Sequence, residues 1–217
     1  MESDLNLKND VMAELAWDPV ARLTPVGVIV QNGVVTLTGH PASYVQKYAI
    51  ERAAQRVKGV LAVAVEMSVK LPGDYERTDA EIALAVEHAL QWSVLVPEDK
   101  VRVLVENGCV TLSGSVEWQY QRQAAEDAVR GLLGVRSLAN QMVVKPKFTP
   151  ADVEAKIEDA LQRQARREAR NIQITSSGSK VTLRGTVHSL AERRAAEGAA
   201  WSAPGVAYVV NDLLVST

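Results

Sequence analysis

The chain has 217 residues, of which 47% are hydrophobic and 23% charged, a balance that excludes a disordered chain. Its 24 basic and 26 acidic residues leave a net charge of -2, which argues against a uniformly basic, nucleic-acid-coating surface. A mean hydropathy of -0.04, with no apolar run approaching about twenty residues, excludes a transmembrane helix, and the single Cys109 excludes an intrachain disulfide.

The chain opens on Met1-Glu2-Ser3-Asp4, which is acidic and lacks the basic and apolar regions of a secretory signal. The expectation is a cytoplasmic protein, or a periplasmic one if a signal has been removed. A first helix around Asp10–Trp17 looks short, and Pro19 follows it. Asn32-Gly33-Val34-Val35-Thr36-Leu37-Thr38-Gly39 then reads as a hairpin turn and its outgoing strand, since Asn-Gly tolerates positive φ at both positions.

That segment returns as Asn107-Gly108-Cys109-Val110-Thr111-Leu112-Ser113-Gly114, and again as Ser177-Gly178-Ser179-Lys180-Val181-Thr182-Leu183-Arg184-Gly185, where the turn reads as one residue longer. Twenty residues separate Gly39 from Gly59, Gly114 from Gly134, and Gly185 from Gly205. Eleven separate Leu15 from Val26, Leu90 from Val101, and Leu161 from Ile172. Three copies follow, at 6–71, 76–146 and 149–217, joined by the proline-bearing separators 71–74 and 145–150. The middle stretch 72–149 is acidic, with 8 basic against 11 acidic residues.

The second copy shows the unit in full. Asp79–Leu90 carries apolar residues at helical spacing behind an aspartate suited to a helix start. Val101–Val105 alternates as a half-buried strand, and Val110–Ser113 returns across the turn. A helix is expected over Val116–Val129, ending at Gly131 or Gly134, and a last strand over Ser137–Val144. The fold class is α+β: three tandem α-β-β-α-β domains, each a three-stranded mixed sheet covered on one face by two helices. A unit of this size buries only about 60% of its unfolded surface, so each core is thin and docking between copies is expected to supply more. Trp17 and Trp92 stand two residues after Leu15 and Leu90, with Arg163 in that place in the third copy; as large aromatics both tryptophans are expected in a core or between copies.

The unit carrying Gly-Val-Val-Thr-Leu-Thr-Gly, with Gly-Val twenty residues on and an asparagine beyond it (Asn140, Asn211), resembles the BON domain, named for bacterial OsmY and nodulation proteins. The resemblance covers nearly the whole chain. It implies a non-enzymatic bacterial module associated with osmotic or envelope stress and transport, and peripheral contact with phospholipid surfaces. The first copy departs from the pattern, with Pro41 where the others have Val116 and Val187, and Val65 where they have asparagine.

No catalytic constellation emerges. Gly33, Gly39, Gly59, Gly108, Gly114, Gly134, Gly178, Gly185 and Gly205 sit where turns need permissive backbone, and no phosphate-loop pattern surrounds them. Cys109 occupies the strand position of Val34 and reads as a small buried hydrophobe. His40, His88 and His188 fall at non-equivalent places, no metal-ligand spacing is present, and no cofactor is expected. The suggestive feature is basic. Arg163, Arg166, Arg167 and Arg170 end the third copy's first helix, and Arg193-Arg194 on its second helix could enlarge the patch. Such a patch suits an anionic phospholipid headgroup, as a candidate lipid contact. The alternatives are a protein-protein assembly adaptor, with other chains or copies of itself as partners, and a small-ligand or ion sensor.

Overall fold

The computed structural model describes residues 4–97, 99–146, 172–203 and 205–216. Domain one comprises α1 (Asp4–Trp17), β1 (Val26–Gln31), β2 (Val34–Gly39), α2 (Tyr44–Arg56) and β3 (Ala62–Met67). Domain two comprises α3 (Asp79–Gln91), β4 (Val101–Glu106), β5 (Cys109–Val116), α4 (Gln119–Arg130), β6 (Ser137–Asn140) and β7 (Val143–Val144). Described elements of domain three are β8 (Ile172–Ser177), β9 (Lys180–Val187), α5 (Leu190–Trp201) and β10 (Tyr208–Val215). The architecture is α+β, with three mixed sheets.

In each domain the hairpin is antiparallel and the third strand runs parallel to its second strand, so the middle strand is β2, β5 or β9. Alternation decides which face packs. Val35 and Leu37, Val110 and Leu112, and Val181 and Leu183 are the equivalent inward pairs, each at most 1% exposed. The first helices contribute Leu7, Val11 and Leu15 in domain one and Ile82, Val86 and Leu90 in domain two to the same cores.

Several local expectations change. The first helix of domain one is not short: α1 has 14 residues against 13 for α3. Thr78, not Asp79, caps α3, through a reciprocal capping box with Glu81. Asp79 instead reaches across to the hairpin, accepting from the amides of Asn107 and Gly108 at 2.8 Å each, and Asp4 does the same for Asn32 and Gly33 at 2.9 and 3.2 Å. The third hairpin has no additional residue, because Ser177 pairs with Lys180 and leaves a two-residue turn. Its glycine stands first, with Gly178 at φ 58°, whereas Asn32 and Asn107 at φ 51° and 52° are followed by Gly33 and Gly108 at 76° and 74°.

The second helix of domain two starts at Gln119 rather than Val116, because β5 runs on through Gly114. Gly114 lies in the strand at φ 131°, and a Cβ there would meet the Lys100 carbonyl oxygen, so close backbone approach is what demands glycine. The last strand of domain two is interrupted: Met142 gives its amide to Asn140 Oδ1 at 3.2 Å, between the residues that pair as β6 and as β7.

The domains pack through their second helices. Tyr44 of α2 packs against the domain-two core, Leu190 of α5 against the domain-one core, and Trp201 of α5 against the cores of domains two and three. The Gly59 amide donates to the His188 carbonyl at 3.2 Å, joining domains one and three through their backbones.

Candidate contact surfaces

Domains two and three hold their second helix to their last strand with the same side-chain tie. In domain two, Asn140 Nδ2 donates to the Arg122 carbonyl at 3.0 Å and lies 3.5 Å from Glu126, while Arg122 donates to the Asn140 carbonyl at 2.9 Å. In domain three, Asn211 Nδ2 donates to the Arg193 carbonyl at 3.2 Å and to Glu197 at 3.1 Å, and Arg193 donates to the Asn211 carbonyl at 2.8 Å. Asparagine fits because one amide group serves two acceptors while its oxygen takes the strand amide two residues on.

Domain one cannot make this tie, having Val65 and Lys47 at the asparagine and arginine positions. It is clamped elsewhere. Arg56 Nε donates to Glu14 at 2.6 Å and its terminal nitrogen to Asp18 at 2.9 Å, while Asp18 also accepts from the Val20 and Ala21 amides at 3.0 Å each. Burial alone would raise the Asp18 pKa, but the Ala21 and Val20 amides and the Arg56 guanidinium outweigh it and hold the carboxyl below its ordinary value.

Glu51, the domain-one counterpart of Glu126 and Glu197, is left without an asparagine and faces the junction of helices. Burial pushes its pKa up, opposed by Lys47 and Arg194. Nearby, the Arg130 guanidinium of α4 lies 3.8 Å from the ring centre of Tyr48 on α2, a close cation–π contact between domains. Arg130 also pairs with Glu126 and Asp127 on its own helix, each at 2.9 Å. Burial, with Glu51 and Glu126 adding to it, pushes the Tyr44 hydroxyl up to about 12.

These contacts locate the residues singled out in the sequence. Arg163, Arg166, Arg167 and Arg170 lie outside the described residues. Arg193 is engaged in the tie to Asn211 and is half-buried. Arg194 keeps exposed surface but stands among Tyr48, Glu51 and Arg52 of domain one, and partial burial followed by the Arg52 charge draws its pKa below the usual arginine value. The nine glycines all have positive φ, but Gly39, Gly114 and Gly185 lie in the paired strands β2, β5 and β9 rather than in turns. Among the described residues, no group of three His, Cys, Asp or Glu side chains could hold a metal ion.

Two expectations are overturned. Trp17 and Trp92 are not packing residues: they are 85% and 88% exposed. Two residues along a helix is roughly a 200° turn, so a side chain two places after a buried leucine points away from the core. Exposed apolar residues follow each in sequence, Leu23 at 64% six residues after Trp17, and Val94 at 99% and Leu95 at 56% directly after Trp92. Cys109 is exposed rather than buried, because in the strand it alternates with Val110 and faces the side of the sheet away from the helices. The tie and the helix junction were missed as sites. Asn140 and Asn211 stood out by their spacing, but their arginine and glutamate partners lie on another element.

The BON domain family matches residues 3–70, 78–146 and 150–217. The chain belongs to the BON family. Over 143 residues it is 32% identical to the osmotically-inducible protein Y of Escherichia coli (strain K12), covering 62% of this chain and 69% of that protein. Among solved structures, the C-terminal domain of CdsD, a structural protein of the type III secretion system of Chlamydia trachomatis, aligns over 99% of this chain and 100% of its own at 15% identity and a TM-score of 0.28. The PrgH periplasmic domain aligns over 96% of this chain and 100% of its own at 9% identity and a TM-score of 0.23. Likeness at those scores carries no conclusion for this BON protein.

Proposed function

We propose that this protein is a non-enzymatic, stress-associated binding module that docks peripherally on phospholipid surfaces. The stress association follows from its relative, named as osmotically inducible. The observation that carries the docking is the pair of exposed tryptophans, Trp17 and Trp92, at equivalent helix ends, the second followed in sequence by the exposed Val94 and Leu95. An indole has an apolar body and a polar N–H, the combination that settles at a membrane–water interface. No helix among the described residues is long and apolar enough to cross a membrane. Contact at the surface is therefore the mode proposed.

The arginines at 163, 166, 167 and 170 would add attraction to anionic headgroups, of order 1 kcal/mol each near such a surface. Flotation with vesicles tests both parts. Binding should require the tryptophans, so that Trp17→Ala/Trp92→Ala abolishes it, and should weaken with salt where the lipid is anionic. Unchanged flotation of the double variant would reject the proposed anchors.

A second reading, a protein-assembly adaptor, is favoured by the helix junction, where one BON unit binds another through its second helix. Light scattering that finds a strict monomer with no protein partners would count against it.

A further inference from the structure

Domain two has a cleft between α3 and the edge strand β4. Its floor is apolar, formed by Leu90, Val96, Val101 and Val103, its rim carries the carboxylates of Glu87 and Asp99, and its volume is about 430 Å³. That volume suits a small ligand.

The cleft has a cause in the sequence. In domain one, the connection from first helix to first strand is drawn in by the Glu14–Arg56–Asp18 clamp, and Ala21 sits under it at 1% exposure. The three clamp positions in domain two are Ala89, Gly131 and Ser93, none of which can form an ion pair. The connection through Val94–Pro97 is unclamped, and the groove stays open.

The rim decides the ligand class. Glu87 and Asp99 are exposed, and neither takes part in a hydrogen bond or ion pair among the described residues, while the adjacent Lys100 is engaged by Glu117 at 3.0 Å. The surrounding stretch 72–149 is itself acidic. Two carboxylates are too few oxygen ligands for a hard metal cation, which takes six or more. An anionic headgroup would be repelled. What complements an apolar floor under a negative rim is a molecule with an alkyl body and a positive nitrogen.

We infer that this cleft binds a small amphiphilic organic cation, its alkyl chain on Leu90, Val96, Val101 and Val103 and its ammonium group at Glu87 and Asp99. The cleft adjoins the Trp92 end of α3, so its test uses free amphiphiles with no vesicles present.

Titration of the full chain with n-octylamine, octanoate and octanol, followed by backbone amide NMR shifts, tests it. Octylamine should move residues of 87–103 and bind about five- to tenfold more tightly than octanoate, the yield of two exposed charge contacts. Added salt should narrow that gap. Glu87→Gln/Asp99→Asn should erase it without changing the melting temperature, both side chains being exposed. Equal binding of amine and carboxylate, a preference that survives the double variant, or shifts that map elsewhere would overturn the assignment.

Discussion

Domain one and domain two share one scaffold and secure it differently. Domain two ties its second helix to its last strand through Arg122, Asn140 and Glu126, and leaves the connection after its first helix open. Domain one, with Val65 in place of the asparagine, clamps that connection through Glu14, Arg56 and Asp18, and turns Glu51 towards domain three. Of these two cross-links each domain carries one, in a different place. The position left unsecured is the one free to bind something: a helix junction in domain one, a groove in domain two.

The largest expected effect tests whether the domains stand alone. Leu37, Leu112 and Leu183 are equivalent and at most 1% exposed, so Leu→Ala at each should cost about 2–5 kcal/mol. If the junction couples the domains, calorimetry should show one transition lowered by each substitution. Three independent transitions would break the comparison at its base.

Asn140→Val and Asn211→Val should each cost about 1–3 kcal/mol in chemical denaturation, since each strands a carbonyl, a carboxylate and a strand amide. Val65→Asn in domain one should recover little, because Lys47 cannot reproduce the arginine's fixed fork.

The clamp has a pH signature. The Asp18 pKa is lowered on folding, so its contribution is present above the unfolded carboxylate value and is lost as pH falls through the folded one. Asp18→Asn should lower stability at pH 7, by about 1 kcal/mol, and the difference from the native chain should close in acid. A constant difference across pH would contradict the ion-paired clamp.

Glu51 runs the other way. Its pKa is raised, so its charged form opposes folding above the folded value and this cost disappears as it protonates. Glu51→Gln should leave stability at pH 7 unchanged or slightly higher, by less than about 1 kcal/mol, with the gain fading on acidification. A clear loss at pH 7 would mean that Arg194 and Lys47 outweigh burial.

What the sequence disclosed was local and periodic. Glycine and leucine spacings revealed three copies, Asn-Gly marked two hairpins, and alternation in Val101–Val105 marked a half-buried strand, because turns and half-buried strands write their geometry into neighbouring residues. The side of a helix on which Trp17 and Trp92 stand was also written there, in their two-residue offset from buried leucines, but side-chain size argued the opposite. The junction left no such trace. Its contacts come from Tyr44 and Leu190 at one repeat position, Arg130 and Trp201 at another, and Tyr48; the residue type changes from copy to copy, so no recurring residue marks them. The polar tie was half legible: its asparagines recur, and its arginines looked like surface charge until the fold brought them to a carbonyl.

The central claim is that second helices are consumed in joining the domains while first-helix ends face outward. Tryptophan fluorescence in two single-tryptophan chains, one keeping Trp92 and the other Trp201 with phenylalanine elsewhere, tests it most directly. Trp92 should emit as a water-exposed indole and shift to the blue on adding vesicles, while Trp201 should be blue-shifted before any vesicle is added. A Trp201 that emits as exposed, or a Trp92 shielded before any vesicle is added, would contradict it.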